Sequence, residues 1–474
     1  MGLKRYKLGD LIEVTRGQSL AGEFYAEEGK YIRLTLGNFD YANGGFKPNT
    51  SKTNLYYTGP IKEQFILEEG DIITPLTEQT PGLLGSTARI PISGTYIQSQ
   101  DVALVRCKDG MINPAFCYYL LPSSSVKKQL AAGAQQTKIR HTSPDKIRDV
   151  VVDIPDISEQ RRIGQLLDAI THKIELNRSI NQNLEALAKQ FYDYWFVQFN
   201  FPNEEGKPYK SNGGTMTFCK ELQIDIPQNW SVCRLSEFIN KNNTGDWGAD
   251  NPSDDSIEIG CIRGADIIKL NGLPRRYIKL KNKTKLLTEW DVVIEVSGGS
   301  PVQATGRSAF ITPGVIKRNG GKITCSNFCH AFSFKDARES AYFFFMWRMF
   351  YDNDIMFNYE GKTSGIKNFM TETFLANKWV KAPTELIHKF FDIVKVIYSK
   401  IDTNIAENNG LIKQRDELLP LLMNGQVSLN SDLSNRRRVA SSPCASELMS
   451  GWVIDVSLFI MTPNHLTVAS LTTL

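Results

Sequence analysis

Metal ligation is the first chemistry this sequence could carry, because Cys325, Cys329 and His330 stand close together in ITCSNFCHAFSF. A C-x3-C-H run without a second ligand pair falls short of the four-ligand sets that hold zinc, and its alternating apolar residues read more simply as a strand. Phosphate binding is the next candidate, since Gly361-Lys362-Thr363 has the ending of a phosphate loop. Met356 stands where a leading glycine must let backbone amides reach the phosphates, so that loop is not supported. The glycine-rich stretch SGGSPVQATGRS at 297–308 contains Pro301 and opens no clear helix, which gives a dinucleotide or S-adenosylmethionine site little support. N-P-P-[FYW], H-E-x-x-H and G-x-S-x-G are absent, and five histidines leave little material for a triad or a zinc hydrolase. The expectation is a chain that is not an enzyme, with no catalytic residue, no metal and no cofactor of its own.

The elements must then position a surface rather than a reaction centre. A length of 474 residues suggests two to four domains at about 100–200 residues each. With 41% hydrophobic and 22% charged residues the chain is a folded globular one, and 55 basic against 51 acidic side chains permit nucleic-acid binding without demanding it. Eight scattered cysteines fit reduced thiols. The N-terminal MGLKRYKLGD lacks an apolar signal core, and no uninterrupted apolar run reaches the ~18 residues of a membrane span, so the expected compartment is the cytoplasm.

The strongest pattern is a repeat. Residues 158–199 read as one long helix with Ser158 as N-cap, and its seam runs Ile163, Leu167, Ile170, Ile174, Asn177, Asn181, Leu184, Ala188, Phe191, Trp195, in alternating steps of four and three. Moving each position forward by 227 residues gives Phe390, Val394, Ile397, Ile401, Asn404, Asn408, Leu411, Arg415, Leu418 and Leu422. The apolar stripe and its two-asparagine interruption are both copied, which makes the helices candidate partners of one another, since buried Asn fixes register. Upstream, FILEEGDIITPL resembles KLLTEWDVVIEV, and short β-rich runs mix with Gly-rich turns and the aromatic stretches FCYYLL and SAYFFFMWRMF. The expected organisation is an α+β domain at 1–157, a helix at 158–199, a linker without sustained period at 200–229, a second α+β domain at 230–383, a second helix at 384–425 and an atypical tail at 426–474 that follows neither repeat, its order left open by the sequence.

These features resemble the specificity subunit of type I restriction-modification enzymes over roughly residues 3–428. The most telling residues are Ile154, Pro155, Glu159, Gln160, Arg161, Arg162 and Ile163, which lead into the first helix, and the IPQNW that opens the second copy. The second helix departs from this lead-in, with Ala382-Pro383-Thr384-Glu385-Leu386 in its place. The resemblance implies two tandem α+β target recognition domains, each followed by a long helix, with the helices pairing as an antiparallel coiled coil. It implies a non-catalytic subunit that reads a bipartite double-stranded DNA target and directs adenine methylation and restriction. Its partners would be two methyltransferase (M) subunits and restriction/translocase (R) subunits, which would carry S-adenosylmethionine, ATP and Mg.

Reading DNA needs polar loops for phosphates and side chains that discriminate base edges, chiefly Arg, Lys, Asn and Gln. In the first copy TEQTPGLLGST and QQTKIRH offer Gln79, Gln136, Lys138 and Arg140; in the second, SGGSPVQATGRS and GKTSGIKN offer Gln303, Arg307, Lys362 and Lys367. Two other readings stay open at this stage: a non-catalytic protein-binding scaffold built on the helices, and a fused DNA-modification enzyme.

Overall fold

The computed structural model describes residues 2–41, 44–50, 52–78, 82–133, 140–300, 302–362 and 366–427, with only the backbone at Lys362. The chain forms two compact units, one from the N-terminal part through Ile174 together with the chain from Gly410, the other Glu175–Asn409. Both units draw on both long helices.

In the first unit a four-stranded antiparallel sheet runs in the order Ile12–Arg16, Val102–Cys107, Ile72–Pro75, Ala88–Arg89. Lys4–Lys7 pairs separately with Val151–Ile154. The second unit repeats the plan with Ile239–Thr244, Cys329–Phe334, Val292–Glu295 and Ser308–Phe310, and pairs Ser231–Arg234 with Lys378–Lys381. The strands that begin at Ile12 and Val102 recur 227 residues on, at Ile239 and Cys329 (239 − 12 and 329 − 102). These strands form because β-branched and aromatic residues suit the half-buried pleat. The aromatic stretches are helices, Pro114–Leu120, capped by Asn113, and Ser340–Asp352.

The first long helix spans Ile157–Tyr192 and ends in a π turn at Asp193–Val197; the second spans Thr384–Met423. At 1.5 Å per residue their 36 and 40 residues measure about 54 and 60 Å. The N-cap is Asp156 rather than Ser158: its Oδ1 accepts from the backbone N–H of Ser158 (2.9 Å) and Glu159 (3.1 Å) and from the Ser158 hydroxyl. A carboxylate at this place also complements the positive end of the helix dipole. The lead-in motif has a structural meaning. Buried Gln160 donates to the Pro155 carbonyl (2.9 Å) and accepts from the Asn113 N–H (2.9 Å), which ties the start of the helix to the first α+β domain.

Within the second unit, Asn177 Nδ2 donates to Asn408 Oδ1 (2.9 Å) and to Glu407 (2.8 Å), and Asn404 Nδ2 donates to Asn181 Oδ1 (2.8 Å). A step of four down one helix is matched by a step of four up the other, so the helices are antiparallel. All four amides are buried. On the first helix Ile163, Leu167 and Ile174 are buried while Ile170 and Leu184 are half-buried; on the second Ile397 and Ile401 are buried and Leu411 half-buried. Within the first unit, Ile163 and Leu167 share a core with Leu422 and Met423. In the second, Tyr192, Trp195, Phe196, Phe390 and Val394 join the aromatic helix Ser340–Asp352, and each such side chain contributes about 1.5–3 kcal/mol by leaving water.

The segment expected to be a linker contains a hairpin, Met216–Cys219 against Ile224–Pro227. Phe201 stacks on Tyr209 and Trp230 at 4.7 and 5.3 Å, so aromatic burial holds a stretch whose composition alone reads as a connector. Residues 428–474 of the expected tail lie outside the described residues. Among the described residues no helix is long and apolar enough to cross a membrane.

The asparagine pairs predict a measurable asymmetry. Asn404→Leu alone strands the buried Asn181 carbonyl and lowers stability by about 1–3 kcal/mol, whereas Asn181→Leu with Asn404→Leu recovers most of the loss. A thermal-unfolding double-mutant cycle checks it, and additive losses would deny that the two amides act as a pair.

Candidate nucleic-acid interface

In each unit the fold brings together the two polar loops that the sequence singles out. In the first, Thr77–Glu78 pairs antiparallel with Arg140–His141, setting Arg140 opposite Glu78. Glu78 is buried, its Oε2 accepts from the N–H groups of Leu83 (2.8 Å) and Leu84 (3.0 Å), and its Oε1 lies 3.7 Å from Arg140 Nη1. Arg140 thus has one flank against a carboxylate while its side chain is 36% exposed. Gln79, Gln136 and Lys138 lie outside the described residues.

In the second unit Ser297–Gly298 pairs with Lys367–Phe369, which pairs in turn with Glu360–Lys362. A bridge between Ser300 and Gln303 closes the glycine-rich loop and leaves Gln303 exposed. Lys367 Nζ sits 2.7 Å from Glu360 and over the Phe357 ring. Burial pushes the Glu360 carboxyl up, but its bonds from Lys367 and the Thr305 N–H outweigh that and hold it below the usual range. The backbone of Lys362 lies opposite Lys367; its side chain lies outside the described residues.

Arg307 occupies a different setting from a loop reader. Its Nε and Nη2 donate to Glu295 at 2.8 and 2.6 Å, and the two side chains are only 15% and 3% exposed. The guanidinium is committed to an internal bidentate pair under the loop. A Cβ on Gly298, at φ 145°, would stand 2.7 Å from Glu295 Oε1, so the backbone can lie over this carboxylate only as glycine.

Sequence reasoning passed over a run of lysines at 279, 281, 283 and 285 in YIKLKNKTKLL, although every second residue there is basic. Lys279, Lys281 and Lys283 are exposed and make no ion pair among the described residues, while Lys285 Nζ donates to the Gly245 carbonyl (2.9 Å). Asn282 donates to Asp246, the Asp246 N–H bonds the Cys325 carbonyl, and the Trp247 N–H bonds Asn327. The adjoining turn carries Phe328, 54% exposed, whose carbonyl accepts from Val296 and Ser297. The lysine run, the Trp247 loop, the Phe328 turn and the glycine-rich loop are therefore linked segment by segment.

The cysteine–histidine cluster is strand, as its alternation suggests: Ile323–Cys325 and Cys329–Phe334. Burial pushes the Cys329 thiol up to about 12, which keeps it protonated and a poor ligand. Among the described residues no group of three His, Cys, Asp or Glu side chains could hold a metal ion.

Comparison with known proteins bears on this arrangement. Residues 2–186 match the family model described as Type I restriction modification DNA specificity domain. The MjaIX specificity subunit of Methanocaldococcus jannaschii, a type I restriction enzyme subunit, is 23% identical over 363 residues, 73% of this chain and 78% of the relative. The EcoBI specificity subunit of Escherichia coli is 24% identical over 259 residues, 52% of each chain. Along most of its length this chain is therefore similar to type I specificity subunits. A crystal structure of a type I restriction-modification S subunit from M. genitalium shares the fold, with TM-score 0.52 and 16% identity over 89% of this chain and 96% of that one. The specificity-subunit family is the non-catalytic, DNA-recognising part of its system.

Two expectations follow. Arg307→Ala strands buried Glu295 and costs about 3–5 kcal/mol of stability, while Gln303→Ala leaves the melting temperature unchanged; equal melting of both variants would deny the internal role of Arg307. His330 gives a pH dependence: burial lowers its pKa, Glu372 opposes this, and the ring bonds Asn242 at 3.0 Å. The folded ring resists a proton that the unfolded one accepts, so its contribution is complete above the ordinary value of about 6.5 and is lost as pH falls below it. His330→Gln should flatten that acid limb in thermal melts taken from pH 8 to about 5.

Proposed function

We propose that this specificity subunit reads a bipartite DNA sequence through its two recognition domains, 1–157 and 230–383, and directs adenine methylation and restriction by partner subunits. The observation that carries this reading is the pairing, in both units, of the same two polar loops across a short antiparallel ladder. A stiff helix pair suits a ruler between two readers, and its outer surface suits the docking of two methyltransferase subunits, with restriction/translocase subunits joining them. S-adenosylmethionine, ATP and Mg then belong to those partners, and the complex works in the cytoplasm.

Within the second domain, Lys279, Lys281 and Lys283 supply phosphate contacts, and Gln303 and Lys367 stand nearer to base edges. Phosphate contacts release counterions, and each one lost flattens the dependence of log affinity on log salt by about 0.9. Arg140 serves the first domain in the same way, and Gln79, Gln136, Lys138 and Lys362 remain candidates by sequence. Arg307 holds the loop from beneath.

The test is the adenine methylome of a cell that expresses the chain with its methyltransferase partner: a two-part motif is expected, and it disappears without this chain. Replacing the three lysines by Ala should weaken duplex binding and lower the salt slope by about 2–3, with both half-site sequences unchanged. An unchanged slope would remove the lysine run from the interface, and methylation without the two-part motif would overturn the functional reading.

A further inference from the structure

The second recognition domain is fastened to the second long helix by polar side chains as well as by apolar packing. Arg318 Nη1 donates to Asp402 Oδ1 at 2.6 Å, with the two side chains 10% and 14% exposed, and the Gly314 N–H donates to Asp402 Oδ2 at 3.1 Å. Arg318 Nε also bonds the Leu270 carbonyl at 3.1 Å, so one guanidinium joins three segments. A Cβ built on Gly314 would stand 2.1 Å from Asp402 Cγ: the domain backbone is pressed against the helix as closely as a glycine allows. Farther along the helix, Asn271 and Asn409 exchange amide hydrogen bonds of 3.0 and 3.1 Å. Two ties nearly two helical turns apart (Asp402 and Asn409) fix an angle as well as a distance, which a single tie cannot do.

The first unit has the same kind of fastening built from other residues. Arg89 donates to both oxygens of Asp168 at 2.9 and 3.3 Å, and the Tyr119 hydroxyl donates to Asp168 at 2.9 Å. This is not a by-product of the repeat, because the position 227 residues after Asp168 is Lys395 and the one 227 before Asp402 is Glu175. Hydrophobic packing alone would hold the domains on the helices with some freedom to rock; charge-assisted bonds with fixed geometry remove that freedom.

We propose that Asp402, with Arg318, Gly314 and the Asn271–Asn409 pair, is a positioning clamp that sets the angle of the second reader on the helix and so enforces the number of base pairs between the two half-sites. This rests on the functional reading above. Touching no DNA, the clamp leaves the half-site sequences alone and acts only on the gap.

The experiment maps the adenine methylome of cells expressing the full chain and its methyltransferase partner, comparing wild type, Asp402→Asn, and Asn271→Ala with Asn409→Ala. The second variant breaks a tie without burying an unpaired charge. In each variant both half-sites should be retained, while methylation at gaps one base pair longer or shorter rises at least about fivefold relative to the preferred gap. A gap as strict as in wild type in both variants overturns the clamp and leaves the functional reading standing. Loss of folded protein or of all methylation in both variants overturns it too, since the ties would then belong to the fold rather than to the spacing. Absence of any two-part motif in wild type overturns the functional reading, and the clamp with it.

Discussion

Amide burial in the helix seam is the constraint on which the rest of this structure depends. Asn177, Asn181, Asn404 and Asn408 are taken out of water in the middle of an otherwise apolar stripe, and their hydrogen bonds are recovered only when amide meets amide across the pair. A slip of one heptad that brings Asn177 and Asn181 opposite Ile401 and Ile397 would set each amide against an aliphatic neighbour and leave its donors and acceptors unmet, at a cost that apolar side chains alone would not impose. The seam therefore gives up some stability for a single register. Within the second unit the helix of Asn404 and Asn408 also carries Asp402, which holds Arg318 and the Gly314 N–H.

A second theme is that enclosed carboxylates hold cations of the polar loops. Glu295 holds Arg307, Glu360 holds Lys367, and Glu78 faces Arg140. A loop that must present side chains in a defined geometry cannot rely on turn propensity alone, and a charge-assisted pair beneath it supplies rigidity that a solvated lysine does not. The cost of enclosing each carboxylate is offset by several bonds at once: two backbone N–H groups on Glu78, a bidentate guanidinium on Glu295. Lys279, Lys281 and Lys283, by contrast, are exposed and make no ion pair among the described residues.

The duplicated plan also shows how one topology tolerates unequal cores. The antiparallel four-stranded sheet has the same strand order in both units, but the second fills its helix-facing side with Tyr342, Phe343, Phe345 and Trp347 where the first uses the shorter Phe116–Leu121 stretch. The aromatic excess reaches the end of the first long helix, where Tyr192, Trp195 and Phe196 pack on Phe390, and it draws Phe201, Tyr209 and Trp230 into contact behind it. The connector is thereby an ordered part of the second unit.

By itself the sequence determined the α+β class, the two-fold repeat and the two long helices with their asparagine-interrupted seam, because periodicity and repetition are local properties that survive without coordinates. It also marked the loop pairs, through polarity and glycine content. Tertiary structure alone decided which of those loop residues are available. Arg307 and Gln303 stand four residues apart in one polar loop, yet one is locked on Glu295 and the other is exposed, a distinction set by a carboxylate from the neighbouring strand. Likewise nothing in the spacing of Asp402 or Gly314 shows that they meet, since their contact spans 88 residues. The N-cap moved from Ser158 to Asp156 for a local reason, the better acceptor lying two residues earlier. Pairing across long loops depends on which surfaces are buried together, and burial is a property of the folded whole.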